Sequence, residues 1–165
     1  MKDSFPLSGR VSLPEAKDTQ DFGEKLGAAL EAGDLVILDG PLGAGKTTLT
    51  QGIARGMGVR GRVTSPTFVV AREHRPQQGA GLRSPTLIHV DAYRLLDGET
   101  DPLGALDALD LDTELDEAVV VAEWGGGLIE NLSSDYLFVS LDRETAVMSD
   151  PESEERILTW RHSSE

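Results

Sequence analysis

The run Gly40-Pro-Leu-Gly-Ala-Gly-Lys-Thr47 gathers residue types that hold a phosphate chain. Gly40 and Gly45 bracket four residues and Lys46-Thr47 follows, the spacing GxxxxGK(S/T). Glycines there let successive backbone N–H groups turn inward around an anion. A helix starting near Lys46 adds the partial positive charge of its N-terminus. Lys46 would reach the β- and γ-phosphates of a nucleotide, and the Thr47 hydroxyl would bind Mg²⁺. Two carboxylates end apolar runs further on: Asp91 after Leu87-Ile88-His89-Val90, and Glu123 after Ala118 to Ala122. An acid at a strand end beside phosphates can hold Mg²⁺ or polarise an attacking water, and the pattern leaves open which of the two touches the metal. Asp39 also ends a strand, but directly precedes Gly40 and reads as framework of the loop.

These groups need elements to position them. Leu35-Val36-Ile37-Leu38 reads as a short strand buried on both faces, and Leu49, Ile53 and Met57 recur at helical spacing after the loop. Strand, loop and helix thus come in the order that phosphate binding requires. Upstream, a strand is expected near Val11 to Leu13. A helix follows in "DTQDFGEKLGAALEAGD", with Phe22, Leu26, Ala29 and Leu30 as its apolar stripe, Asp18 or Thr19 as its cap and Gly33 as its end. Downstream, a strand is expected from about Phe68, then the turn-rich connection "RPQQGAGLRSP". "TLIHVD" and "AVVVAEW" are strands of buried type, with one or two short helices between them. "DYLFVSLD" and "ERILTWRH" are strands joined by the acidic loop "RETAVMSDPESEE". No internal repeat, linker or second domain is visible, so one domain spans residues 1–165. Buried strands separated by helices predict an α/β fold, a mostly parallel central sheet flanked by helices, with antiparallel C-terminal edge strands.

Composition narrows the function classes. No run approaches the ~18 apolar residues that a membrane span needs, and "MKDSFPLSGR" lacks the apolar centre of a secretory signal. The expected location is the cytoplasm, with no membrane partner. Absence of cysteine excludes disulfides and thiolate metal sites, and His74, His89 and His162 have no ligand spacing, reading as surface or packing residues. The formal net charge is −14, and Leu95 to Asp142 carries thirteen acidic residues with no lysine or arginine. Such a face repels a nucleic-acid backbone, so extensive direct contact with RNA or DNA is not expected. Arginines collect instead at Arg55, Arg60, Arg62, Arg72 and Arg75.

Two further strings complete the set. "TSPTF" (Thr64 to Phe68) places the hydroxyls of Ser65 and Thr67 where many phosphate-loop enzymes carry a γ-phosphate-sensing segment. "EWGGG" puts Trp124 beside Glu123. With the glycine loop, Thr64-Ser-Pro-Thr-Phe68, His89-Val-Asp-Ala-Tyr-Arg-Leu95 and Glu123-Trp124 in this order, the chain resembles the TsaE (YjeE) family over roughly Thr19 to Asp142. The resemblance implies a P-loop NTPase fold and an ATPase of tRNA threonylcarbamoyladenosine (t6A) synthesis. It implies TsaB and TsaD as protein partners, with tRNA met only through their complex. It implies further that Gly43, Ala44, Gly45, Lys46, Thr47 and Thr48 bind the ATP phosphates and that Thr47 and Glu123 hold Mg²⁺. Asp91 matches the essential acid of the HxDxYR segment. Ser65 and Thr67 match the switch-like segment, and Trp124 the aromatic beside the acid. The insert around Arg75 to Pro85 and the acidic stretch Glu144 to Glu155 depart from the family pattern.

Rival readings have discriminating features. Asn131 is the sole asparagine, and it lies in "NLSS", so the guanine-reading NKxD motif of a GTPase is absent. A small-molecule kinase would want an arginine-bearing lid, yet Leu95 to Asp142 offers no basic residue. A nucleotide-gated binding subunit, in which ATP orders a docking surface, is compatible with the family role. Only Arg94 and the cluster from Arg55 to Arg75 are expected as arginines near the loop, which predicts slow hydrolysis without a partner.

Overall fold

The computed structural model describes residues 1–41, 43–59, 71–76, 85–91, 118–123 and 135–164. Seven strands and three helices fall within these residues: β1 (Ser8–Leu13), α1 (Ala16–Ala29), β2 (Leu35–Asp39), α2 (Lys46–Met57), β3 (Ala71–His74), β4 (Thr86–Asp91), β5 (Ala118–Glu123), β6 (Leu137–Asp142), α3 (Glu144–Ser149) and β7 (Arg156–His162). The strands form one sheet in the order β1-β7-β6-β2-β5-β4-β3. Pairings β6–β2, β2–β5 and β5–β4 are parallel, whereas β1–β7, β7–β6 and β4–β3 are antiparallel. The α/β expectation is met, with a mixed sheet rather than a mostly parallel one.

The apolar runs explain the centre. Leu35, Val36, Ile37 and Leu38 are all buried, as are all six residues of β5. Strands covered on both faces have no solvent side to alternate with, so they read as continuous hydrophobic segments. β6 alternates buried and half-buried residues, and its buried set is Leu137, Val139 and Leu141.

Four local expectations change. Helix α1 starts before Asp18: Glu15 is its N-cap, and the Asp18 carboxylate accepts a 3.0 Å bond from the Glu15 N–H in a capping box. Thr19 is therefore a buried helical residue, and Gly33 (φ 95°) belongs to the turn beyond the helix. The acidic loop before β7 contains the six-residue helix α3. The C-terminal strands are not the sheet edge either, because β6 pairs with β2 and β1 covers β7. Covering β7 buries Trp160 against Phe5 and Phe22, with ring centroids 5.7 and 5.1 Å away. The Trp160 indole N–H donates to the Pro6 carbonyl at 3.0 Å.

Helix α2, which begins at the glycine loop, is held by unusually close packing on α1. Gly23 and Gly27 of α1 meet Gly52 and Gly56 of α2, and each helix presents its glycines at four-residue spacing. A Cβ on Gly52 would run into the Gln20 carbonyl oxygen, and one on Gly27 into that of Ile53. These obstacles are backbone atoms, which cannot rotate away. Gly52→Ala should therefore destabilise the protein by about 1–3 kcal/mol through overpacking. Helix propensity alone predicts about 1 kcal/mol of stabilisation. Denaturant titration decides by sign: a raised midpoint would contradict the close packing.

Candidate functional site

Leaving β2, the chain turns at Gly40, where a Cβ would lie 3.0 Å from the Leu141 carbonyl oxygen. Gly43 (φ 79°) and Gly45 (φ 104°) then adopt left-handed backbone, which side chains disfavour. Between them Ala44 is fully buried, and its N–H donates to the Pro41 carbonyl at 3.1 Å. Gly45 caps α2, and its carbonyl accepts the first helical bond from Leu49 at 2.8 Å. Lys46, Thr47 and Thr48 form the first helical turn, each half-buried. A helix N-terminus leaves its first N–H groups without helical partners, so this turn faces the loop with donors available to an anion.

The parallel strand β5 brings Glu123 to the same place. Lys46 Nζ lies 3.8 Å from Glu123 Oε2, and the two side chains are only 11% and 9% exposed. Fully buried His89, on β4, places Nε2 3.8 Å from Glu123 Oε1. Both separations exceed hydrogen-bond length, and the attraction between Lys46 and Glu123 is Coulombic. Asp91 occupies the register position paired with Glu123 across β4–β5. The two acids that the sequence singled out thus stand at matching ends of adjacent parallel strands. Ser65, Thr67 and Trp124 lie outside the described residues.

The donor chemistry suits a hard cation. Thr47 offers a hydroxyl in the first turn of α2 and Glu123 a carboxylate at the end of β5, oxygen donors of the type Mg²⁺ takes alongside water. His89 approaches the same carboxylate and reads as its positioning neighbour rather than a surface residue.

Sequence reasoning passed over two arginines. Arg143 follows β6 directly and Arg156 opens β7, and both guanidinium groups reach Gly43. The available signal was the rule that ligands sit at the carboxyl ends of parallel strands, applied to the strand ending at Asp142. It went unused because nothing in the sequence shows β6 beside β2. The turn carrying Arg143 is fixed by Asp142, which accepts the Thr145 hydroxyl at 2.6 Å and the Thr145 N–H at 3.2 Å. Those bonds, the hydroxyl first, hold the Asp142 carboxyl below its ordinary value of 3.8.

Seen together, the described residues make an α/β protein whose central strand ends in an anion-competent glycine loop faced by a strand-end acid. Comparison with known proteins shows the family. The family described as "Threonylcarbamoyl adenosine biosynthesis protein TsaE" matches residues 13–151. A Mycobacterium bovis protein named tRNA threonylcarbamoyladenosine biosynthesis protein TsaE is 52% identical over 153 residues, covering 92% of this chain and 86% of that one. A Streptomyces coelicolor protein of the same name is 51% identical over 131 residues, covering 79% and 83%. The crystal structure of Bacillus subtilis YdiB superposes with a TM-score of 0.63 at 24% identity, covering 94% of this chain and 87% of that one, a likeness of fold. The chain belongs to the TsaE family.

Thr145→Val should return the Asp142 carboxyl toward its ordinary value, observable by carbon NMR titration. The sign for stability follows from the depressed native value. Asp142 stabilises the fold above its unfolded value and loses that contribution as pH falls through the lower, native one. The stability gap between wild type and Thr145→Val should therefore be full at neutral pH and shrink below pH 3.8. A carboxyl that titrates identically in both proteins contradicts the turn's role.

Proposed function

We propose that this protein is the ATP-binding and ATP-hydrolysing subunit of t6A synthesis, acting with a TsaB–TsaD complex on position 37 of tRNA. The observation that carries the reading is Lys46 at the start of α2, directly after two left-handed glycines and facing the Glu123 carboxylate at 3.8 Å. Family membership supplies the pathway, since the relatives bear the t6A name. In this reading the chain is a single P-loop NTPase domain over residues 1–165 that works in the cytoplasm.

The parts act as follows. Backbone N–H groups from Gly43 to Thr48 cradle the phosphates, and Lys46 exchanges Glu123 for the β- and γ-phosphate oxygens. Glu123 and Thr47 would hold Mg²⁺, which would supply charge neutralisation on the phosphates. Asp91, at the register position beside Glu123, orients or deprotonates the attacking water. Ser65 and Thr67 respond to the γ-phosphate, with Trp124 beside the acid. Contact with tRNA runs through the partner complex, consistent with a chain of net charge −14.

Lys46→Ala should abolish tight ATP binding. Glu123→Ala or Asp91→Ala should retain part of the binding and stop hydrolysis. Steady-state phosphate release checks both, and wild-type turnover in the Asp91→Ala, Glu123→Ala double variant contradicts the assignment. The isolated protein should turn ATP over slowly and faster with TsaB–TsaD, because a group aimed at the developing charge is worth ~10³-fold or more. Equal rates alone and with the complex would favour an autonomous ATPase.

A further inference from the structure

The β6–β7 hairpin delivers two arginines to the flank of the glycine loop. Arg143 Nη1 lies 3.0 Å from where a Cβ on Gly43 would stand. Arg156 Nη2 donates to the Gly43 carbonyl at 3.4 Å, and its stem passes 3.8 Å from a Cβ position on Gly45. Because β6 and β5 pair with opposite sides of β2, the arginines come from one side and Glu123 from the other.

Like charges gathered at one glycine call for an anion. Among the described residues no carboxylate comes within 4.0 Å of either guanidinium. The Nε atoms of both are buried without a hydrogen-bond partner. Burial, and then the Arg143 charge, pull the Arg156 guanidinium below its ordinary value, and Glu154 acts in the opposite direction. Among the described residues neither cation has a carboxylate partner, in a protein whose net charge is −14. Within that described set, the pair of cations is open to an external anion.

We propose that Arg143 and Arg156 bind the α- and β-phosphates of the nucleotide, closing the loop from the side opposite Glu123. The proposal rests on the nucleotide reading above. Lys46 and Glu123 occupy the side assigned to the γ-phosphate and cation, so groups across the loop meet the phosphates nearer the nucleoside. A planar, permanently charged guanidinium suits phosphate oxygens, to which it presents paired donors. The ligand class is therefore a nucleoside di- or triphosphate, with both forms gripped alike.

The test is calorimetric titration of ATP and of ADP, each with Mg²⁺, into wild type, Arg143→Ala, Arg156→Lys and Lys46→Ala. Arg143→Ala is the cleaner variant, because the Arg143 Nε makes no hydrogen bond among the described residues, whereas Arg156 donates to backbone carbonyls. Arg156 also donates to the Glu155 carbonyl at 2.8 Å, so lysine is used there to limit disturbance of the turn. Circular dichroism establishes that each variant is folded. Arg143→Ala should weaken ATP and ADP by the same factor, about tenfold or more, and Arg156→Lys should weaken both in parallel. If both arginine variants bind within twofold of wild type while Lys46→Ala loses ATP, the proposal fails and the nucleotide reading stands. Loss confined to ATP would place the arginines at the γ-phosphate and also overturn it. A wild type that binds neither nucleotide overturns both readings together.

Discussion

A lysine ammonium that is 11% exposed must keep a negative partner, since removing a charge from water without one is costly. Among the described residues Glu123 is such a partner, and much of the architecture serves to keep the two facing each other. β5 lies parallel beside β2, so both strands point their carboxyl ends at one edge. The glycines at Gly43 and Gly45 turn the chain back into α2 within a few residues, which sets Lys46 over that edge. The glycine stripe between α1 and α2 then fixes the helix, because no side chain separates the two backbones. The pair is held by attraction rather than by a hydrogen bond between the two groups, a geometry compatible with the proposed exchange of carboxylate for phosphate.

Charge is divided across the loop. An acid and a lysine face each other on the β5 side, where their charges offset. Two arginines share Gly43 on the β6 side. The chain as a whole is strongly acidic, so among the described residues this pair of arginines is a local cationic exception at the glycine loop. In the proposed reading, a phosphate chain would lie in one orientation, between the arginines and the lysine.

Legibility in the sequence followed the length scale of each constraint. The loop, its helix and the strands β2, β4 and β5 were readable because their signals are local: glycine spacing, a helical repeat and unbroken apolar runs. Asp91 and Glu123 were readable as strand ends, and their shared register follows from the parallel pairing. The start of α1 was misplaced because Asp18 works as the third residue of a capping box, reaching back to Glu15. Strand neighbours are non-local, so nothing in "DYLFVSLD" shows that it lies beside β2. For that reason Arg143 and Arg156 went unnoticed, although both stand in plain view in the sequence. The glycines at Gly23, Gly27, Gly52 and Gly56 carried a usable signal, paired small residues at four-residue spacing, which a search for apolar stripes does not see.

In the proposed function Lys46 exchanges Glu123 for phosphate. The most direct measurement is a crystal structure of the wild-type protein grown with Mg²⁺ and a non-hydrolysable ATP analogue. The phosphates are expected within the Gly43 to Thr48 loop, with Lys46 Nζ within hydrogen-bonding distance of their oxygens and farther than its present 3.8 Å from Glu123. An analogue bound elsewhere, with Lys46 still facing Glu123, would contradict that exchange.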